Sequence, residues 1–199
     1  MTPRTMRTML VFAAFAAGLL SVLAVIVVVS GRINAPVIAT ASAVGGPFQL
    51  TDHTGKRITN EDLKGRPFLI FFGFTHCPDI CPTTLFEMSE VLRRIPPGPN
   101  TPRALFVTVD PERDTPDKLK DYLSSFDPQV IGVTGTPSEV AQMLKSYRVF
   151  ARKVPTEGDG YTMDHTALIY LMDKHGNFVA PFNLKRTPEQ AAADLRRYY

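Results

Sequence analysis

The chain opens on an uninterrupted apolar stretch. Met9 to Val29 carries no charged residue, and only Gly18 and Ser21 interrupt it. As a helix rising about 1.5 Å per residue it would be roughly 32 Å long, matching a hydrocarbon core of about 30 Å. A helix buried in a soluble domain would show a polar stripe, and this run has none. Arg4 and Arg7 precede it and Arg32 follows it. The positive-inside bias then puts the amino terminus in the cytoplasm and the remainder outside. A cleaved signal peptide is the rival reading. Ala41-Ser42-Ala43 has the small-residue form of a cleavage site. It lies well beyond the apolar run, however, and that run exceeds an h-region of about 7–15 residues. The pattern therefore predicts a cytoplasmic segment over residues 1–8, an uncleaved transmembrane anchor over 9–30 and a linker over 31–46. Asn34 to Gly46 is small and uncharged. Fully extended it would reach at most about 43 Å, at roughly 3.3 Å per residue.

From residue 47 to 199 the pattern changes to short apolar runs separated by helical spacing. Phe48 to Asp52 predicts a strand, with a turn at His53-Thr54-Gly55 and a return through Arg57 and Ile58. Pro67 to Phe72 is continuously apolar, as in a central strand buried on both faces. Leu85, Met88 and Leu92 recur at helical spacing and predict a helix from Pro82 to Arg94, ended by Pro96-Pro97-Gly98-Pro99. Arg103 to Val109 is a second buried strand. Thr115-Pro116 begins a helix reaching about Ser125, and Val130 to Val133 is a short strand. Thr136-Pro137-Ser138-Glu139 is a capping box opening a helix to about Tyr147. Ala167 to Met172 and Asn177 to Pro181 form a hairpin across Asp173-Lys174-His175-Gly176. Thr187-Pro188-Glu189-Gln190 caps a last helix. The order β-α-β-α-β-α-β-β-α predicts an α/β, thioredoxin-like fold with a central mixed sheet flanked by helices.

Charge and composition change this picture little. Lys and Arg total 22 against 19 Asp and Glu, a formal +3 over 199 residues. Arg4, Arg7 and Arg32 supply the whole excess, so the domain has no surplus of cations for binding nucleic acid. Hydrophobic residues at 44% exclude a disordered chain. The 2 cysteines exclude a disulfide-dense scaffold or a four-cysteine zinc site.

Those two cysteines are the candidate chemical centre. Cys77 and Cys81 lie in Phe74-Thr75-His76-Cys77-Pro78-Asp79-Ile80-Cys81-Pro82, after a strand and before a helix. Ligand sites of open α/β sheets gather at such carboxyl ends. Pro82 lacks an N–H, so the regular helix is expected to start near it, with Cys81 at its cap and Cys77 in the loop above. Free N–H groups and the helix dipole there would favour thiolate over thiol. An inert structural disulfide is the plainer reading, but closing so small a loop restrains the unfolded chain little. The spacing does not choose between redox and metal chemistry. His165, in Thr162-Met163-Asp164-His165-Thr166, tips the balance toward metal, although a lone histidine is by itself more often a capping or core residue. The strand that follows it would run beside the strand delivering the cysteines. Two thiolates and an imidazole suit copper(I) or zinc, and a structural zinc would want a fourth ligand that is not visible. His53, His76 and His175 read as capping or core residues. Asp110, Arg113 and Asp114 read as capping and ion-pairing residues. Met163 reads as packing, and Asp164 either orients His165 or is plain loop.

The string Gly73 to Pro82 resembles the Sco (SenC-type) copper proteins, as do Val109-Asp110-Pro111-Glu112-Arg113-Asp114-Thr115-Pro116 and Asp164-His165. The resemblance spans about Phe48 to Tyr199 and the anchor. It implies copper, as Cu(I) or Cu(II), held by Cys77, Cys81 and His165. It also implies support for the binuclear copper site of cytochrome c oxidase. The expected partner is then the copper-receiving subunit of that oxidase, with other periplasmic copper chaperones and thiol reductants alongside. The expected location is the inner membrane, single-pass, with the soluble domain on the periplasmic side. The alternative function is a thiol–disulfide oxidoreductase that reduces the oxidase cysteines before metallation, with Cys77 attacking and Cys81 resolving. A peroxidase is a weaker third possibility on a fold that hosts many activities.

Overall fold

The computed structural model describes residues 14–25, 44–99, 101–158 and 160–198. Residues 14–25 are helical (α1). No helix among the described residues is long and apolar enough to cross a membrane. The anchor expected over 9–30 lies partly outside the described residues, as does most of the linker.

From Val44 the chain runs β1 (Gln49–Asp52), β2 (Arg57–Thr59), β3 (Phe68–Gly73), α2 (Ile80–Leu92), β4 (Arg103–Thr108), α3 (Pro116–Leu123), β5 (Val130–Thr134) and α4 (Pro137–Ser146). It continues through β6 (Ala151–Pro155), β7 (Tyr161–His165), β8 (Ile169–Met172), β9 (Phe178–Pro181) and α5 (Pro188–Leu195). Seven strands form one sheet in the order β2-β1-β5-β4-β3-β8-β9. The β5-β4-β3 centre is parallel, and every other pairing in this sheet is antiparallel. This is the mixed sheet flanked by helices that the alternating pattern implied.

Burial explains the order. All six residues of β3 are buried, as are five of the six in β4. Successive side chains point to opposite faces. Phe71 meets Phe106, which meets Tyr122 of α3, while Phe72 meets Tyr147 at the end of α4 and Tyr170 of β8. Thus α3 and α4 cover opposite faces. Pro at the first helical turn and a Thr cap start α3, α4 and α5 alike, and α4 and α5 each close a full capping box.

Two expectations need correction. Helix α2 starts at Ile80, not near Pro82. Pro82 is the third helical residue, where the N–H has no intrahelical acceptor, so its absence costs no bond. The segment between α4 and β8 is also not featureless: β6 and β7 pair as a separate two-stranded antiparallel sheet, Ala151 opposite His165.

Candidate metal centre

Strand β3 ends at Gly73, and Phe74 and Thr75 lead into the turn that carries Cys77. A Cβ on Gly73 would stand 2.5 Å from Phe106 Cε2 and 2.9 Å from Cys81 Sγ. Only glycine lets the first turn of α2 settle this close to the sheet. The Thr75 amide and hydroxyl both donate to the buried Asp114 carboxylate, at 3.0 and 2.6 Å, and Thr108 Oγ1 donates to it at 2.7 Å. Asp114 therefore pins the cysteine turn to the end of β4, a bonding role in keeping with its reading from the sequence.

Cys81 is fully buried and Cys77 partly exposed; both are free thiols. The Cys81 N–H donates to Cys77 Sγ at 3.4 Å, so a sulfur takes one of the unpaired donors of the helix start. The Asp79 side chain makes no cap bond. The expectation that the helix terminus would favour thiolate at the pair does not hold for Cys81. Burial pushes the Cys81 thiol up to about 12, with the Cys77 sulfur and the Asp114 carboxylate adding to the rise. Desolvation is the largest cause, because Cys81 lies on the buried stripe it shares with Leu85, Met88 and Leu92.

His165 is the last residue of β7. Strand β8, which follows it, pairs antiparallel with β3, Ile169 opposite Phe71. The chain ahead of β8 therefore comes in over the carboxyl end of β3. There His165 Nε2 stands 4.0 Å from Cys81 Sγ. His165 Nδ1 lies 3.0 Å from the Thr166 carbonyl oxygen. A carbonyl only accepts, so Nδ1 carries the proton and Nε2 presents its lone pair toward the sulfur. The ring stands edge-on to buried Phe74, centroids 5.7 Å apart and planes at 87°. Metal–sulfur and metal–nitrogen bonds of about 2.3 and 2.0 Å, as at zinc, would put the two donors about 3.5 Å apart at a tetrahedral angle and about 4.3 Å apart in line. The observed separation falls inside that window.

The remaining candidates sit elsewhere. Asp164 is exposed and pairs with Arg152 at 3.3 Å, so the Thr166 carbonyl, not Asp164, orients the ring. Met163 is half-buried against the core. His53 Nδ1 accepts the Gly132 N–H at 2.9 Å, tying the first turn to β5. His76 is exposed beside the Thr75 hydroxyl, and His175 is exposed in the β8–β9 turn. Among the described residues no three His, Cys, Asp or Glu side chains are already gathered tightly enough to hold an ion. The sequence reading missed Phe74 and Thr166, which set the imidazole. The aromatic run into the cysteine turn was the one available hint.

A family profile described as SCO1/SenC matches residues 37–199. The chain belongs to the SCO1/SenC family. The structure of Bradyrhizobium japonicum ScoI with copper bound is 64% identical, covers 79% of this chain and 100% of its own, and superposes with a TM-score of 0.77. Yeast Sco1 with copper bound is 38% identical over 78% of this chain and 88% of that one, with a TM-score of 0.71. The human mitochondrial SCO1 homolog is 41% identical over 155 residues, 76% of this chain and 52% of the human protein. The SCO1/SenC chain described here thus spans about half the length of that relative.

Proposed function

We propose that this protein is a membrane-anchored copper chaperone. It binds one copper ion through Cys77, Cys81 and His165 and supports assembly of the binuclear copper site of cytochrome c oxidase. In this reading residues 9–30 hold it in the inner membrane, and 31–46 link the anchor to the 47–199 domain on the periplasmic side. The observation that carries it is the His165 lone pair, fixed in tautomer by Thr166, 4.0 Å from a buried sulfur. Copper-bound relatives of 64% and 38% identity add support.

Copper is cargo here. Its arrival displaces the thiol protons and draws Cys77 and His165 in around it, and soft sulfur ligands select it. Two thiolates neutralise copper(II) and leave copper(I) with one net negative charge. Release proceeds by exchange onto the cysteines and histidines of the oxidase subunit, and the tether keeps the effective concentration high. Oxidation of the pair to a disulfide removes both sulfur ligands, so loading requires the dithiol. The test is copper titration of reduced protein. One equivalent binds, and His165→Ala weakens binding by tenfold or more. Unchanged affinity in that variant would reject the three-ligand site.

The second reading, a thiol–disulfide oxidoreductase acting on the oxidase cysteines, is favoured by the asymmetry of the pair. Cys77 is the accessible sulfur and receives the Cys81 N–H. Its thiolate would attack an acceptor disulfide and expel one thiolate. Cys81 would then lose its proton, attack Cys77 and expel the second, leaving a Cys77–Cys81 disulfide for a periplasmic thiol reductant to reopen. Multiple-turnover reduction that survives His165→Ala would favour this class.

A further inference from the structure

The string Asp110-Pro111-Glu112-Arg113-Asp114 supplies no ligand to the reading above, yet Asp110 and Asp114 are buried. Its contacts run in two directions. Asp114 holds Thr75, two positions before Cys77. Asp110 and Arg113 hold Tyr161, which opens the strand that ends in His165. The Tyr161 hydroxyl donates to Asp110 Oδ1 at 2.9 Å, and Arg113 Nη1 donates to the Tyr161 carbonyl at 2.9 Å. The Arg113 guanidinium stacks 3.8 Å above the Tyr161 ring and pairs through Nε with Asp110. It also lies 5.9 Å from the centroid of Phe74, the ring against which His165 is set.

This matters because β6–β7 shares no strand pairing with the seven-stranded sheet. Backbone hydrogen bonds fix the cysteine strand, whereas the position of the hairpin depends on side chains.

We propose that Arg113, gripped by Asp110, stacked on Tyr161 and close to Phe74, is a positioning residue that sets the His165 hairpin at ligand distance from the cysteine turn. The inference rests on Cys77, Cys81 and His165 being the copper ligands. One short string thus registers both halves of the centre, the sulfurs through Asp114 and the imidazole through Arg113.

The experiment is a double-mutant cycle on the full reduced chain in detergent. Copper(I) affinity is measured against a competing chelator for wild type, Arg113→Gln, His165→Ala and the double variant. Arg113→Gln should weaken binding about 10- to 100-fold, the usual reach of groups that orient a ligand. It should add nothing once His165 is gone. Arg113→Lys should not rescue, since an ammonium keeps the charge but loses the flat fork and the stack. Tyr161→Phe removes one hydroxyl and keeps the ring, so it carries the test if Arg113→Gln does not fold; it should weaken copper in the same His165-dependent way. In metal-free protein the His165 ring resonances should shift in both variants, while the dithiol reduction potential stays at its wild-type value. Equal loss with and without His165 would mean general damage and overturn the proposal. So would wild-type affinity in both Arg113→Gln and Tyr161→Phe while His165→Ala weakens binding, in which case the ligand reading survives. No loss in His165→Ala itself would instead sink the ligand reading.

Discussion

The two sides of the candidate centre are built on different physics. The cysteines stand at the end of β3, a strand paired on both sides and buried along its whole length. The histidine ends β7, a strand paired only with β6, and that hairpin is half-buried at most. Burial of apolar area holds the first side; hydrogen bonds, ion pairs and stacking on Tyr161 hold the second. The candidate site thus joins a buried, doubly paired wall to an arm fastened mainly by polar contacts, a division that fits the proposed uptake and release of an ion.

The contrast predicts a graded set of effects. Phe106→Ala empties the centre of the sheet where Phe71, Tyr122 and Gly73 converge. It should cost about 3–5 kcal/mol in chemical denaturation. Gly73→Ala drives a methyl into Phe106 and the Cys81 sulfur. A loss of about 1–3 kcal/mol should come with weakened copper binding, since the clash falls on a proposed ligand. His165→Ala lies on the arm, so it should lower stability by only about 1 kcal/mol, the scale of its edge-on contact with Phe74. A large stability loss there would erase the distinction between wall and arm. The smallest effect belongs to Glu139, remote from both. Hydrogen bonds from Arg57 and the Thr136 N–H hold its carboxyl down to about 2. A depressed carboxyl stabilises the fold above its ordinary value near 4.5 and loses that contribution as pH falls toward 2. The side chain is substantially solvated, so Glu139→Gln should cost about 0.5 kcal/mol at neutral pH, and the gap to wild type should narrow as melts are taken down to pH 3.

The wall was legible in the sequence and the arm was not. Pro67 to Phe72 and Arg103 to Val109 are apolar runs that only a doubly covered strand explains. The Thr-Pro openings at 115, 136 and 187 marked three helix starts to within a residue. Ala151 to Pro155 and Tyr161 to His165 show neither alternation nor an apolar run, because cation stacking on Tyr161 and contacts to the Asp110–Asp114 string do the fastening. No local pattern encodes such contacts. The pair was expected to favour thiolate, and for Cys81 burial works the other way. The spacing of Cys81, Leu85, Met88 and Leu92 at 0, 4, 7 and 11 already placed that sulfur on the inner face of α2.

The place of β8 has a consequence for synthesis. It pairs with β3 on the side away from β4, and it comes from the last third of the chain. While the polypeptide emerges in order, the strand leading to the two thiols has one bare flank, and the imidazole joins only as that flank is covered. A half-made chain therefore offers sulfur without its nitrogen counterpart, and the proposed seat for a metal is complete only after nearly the whole domain has been extruded.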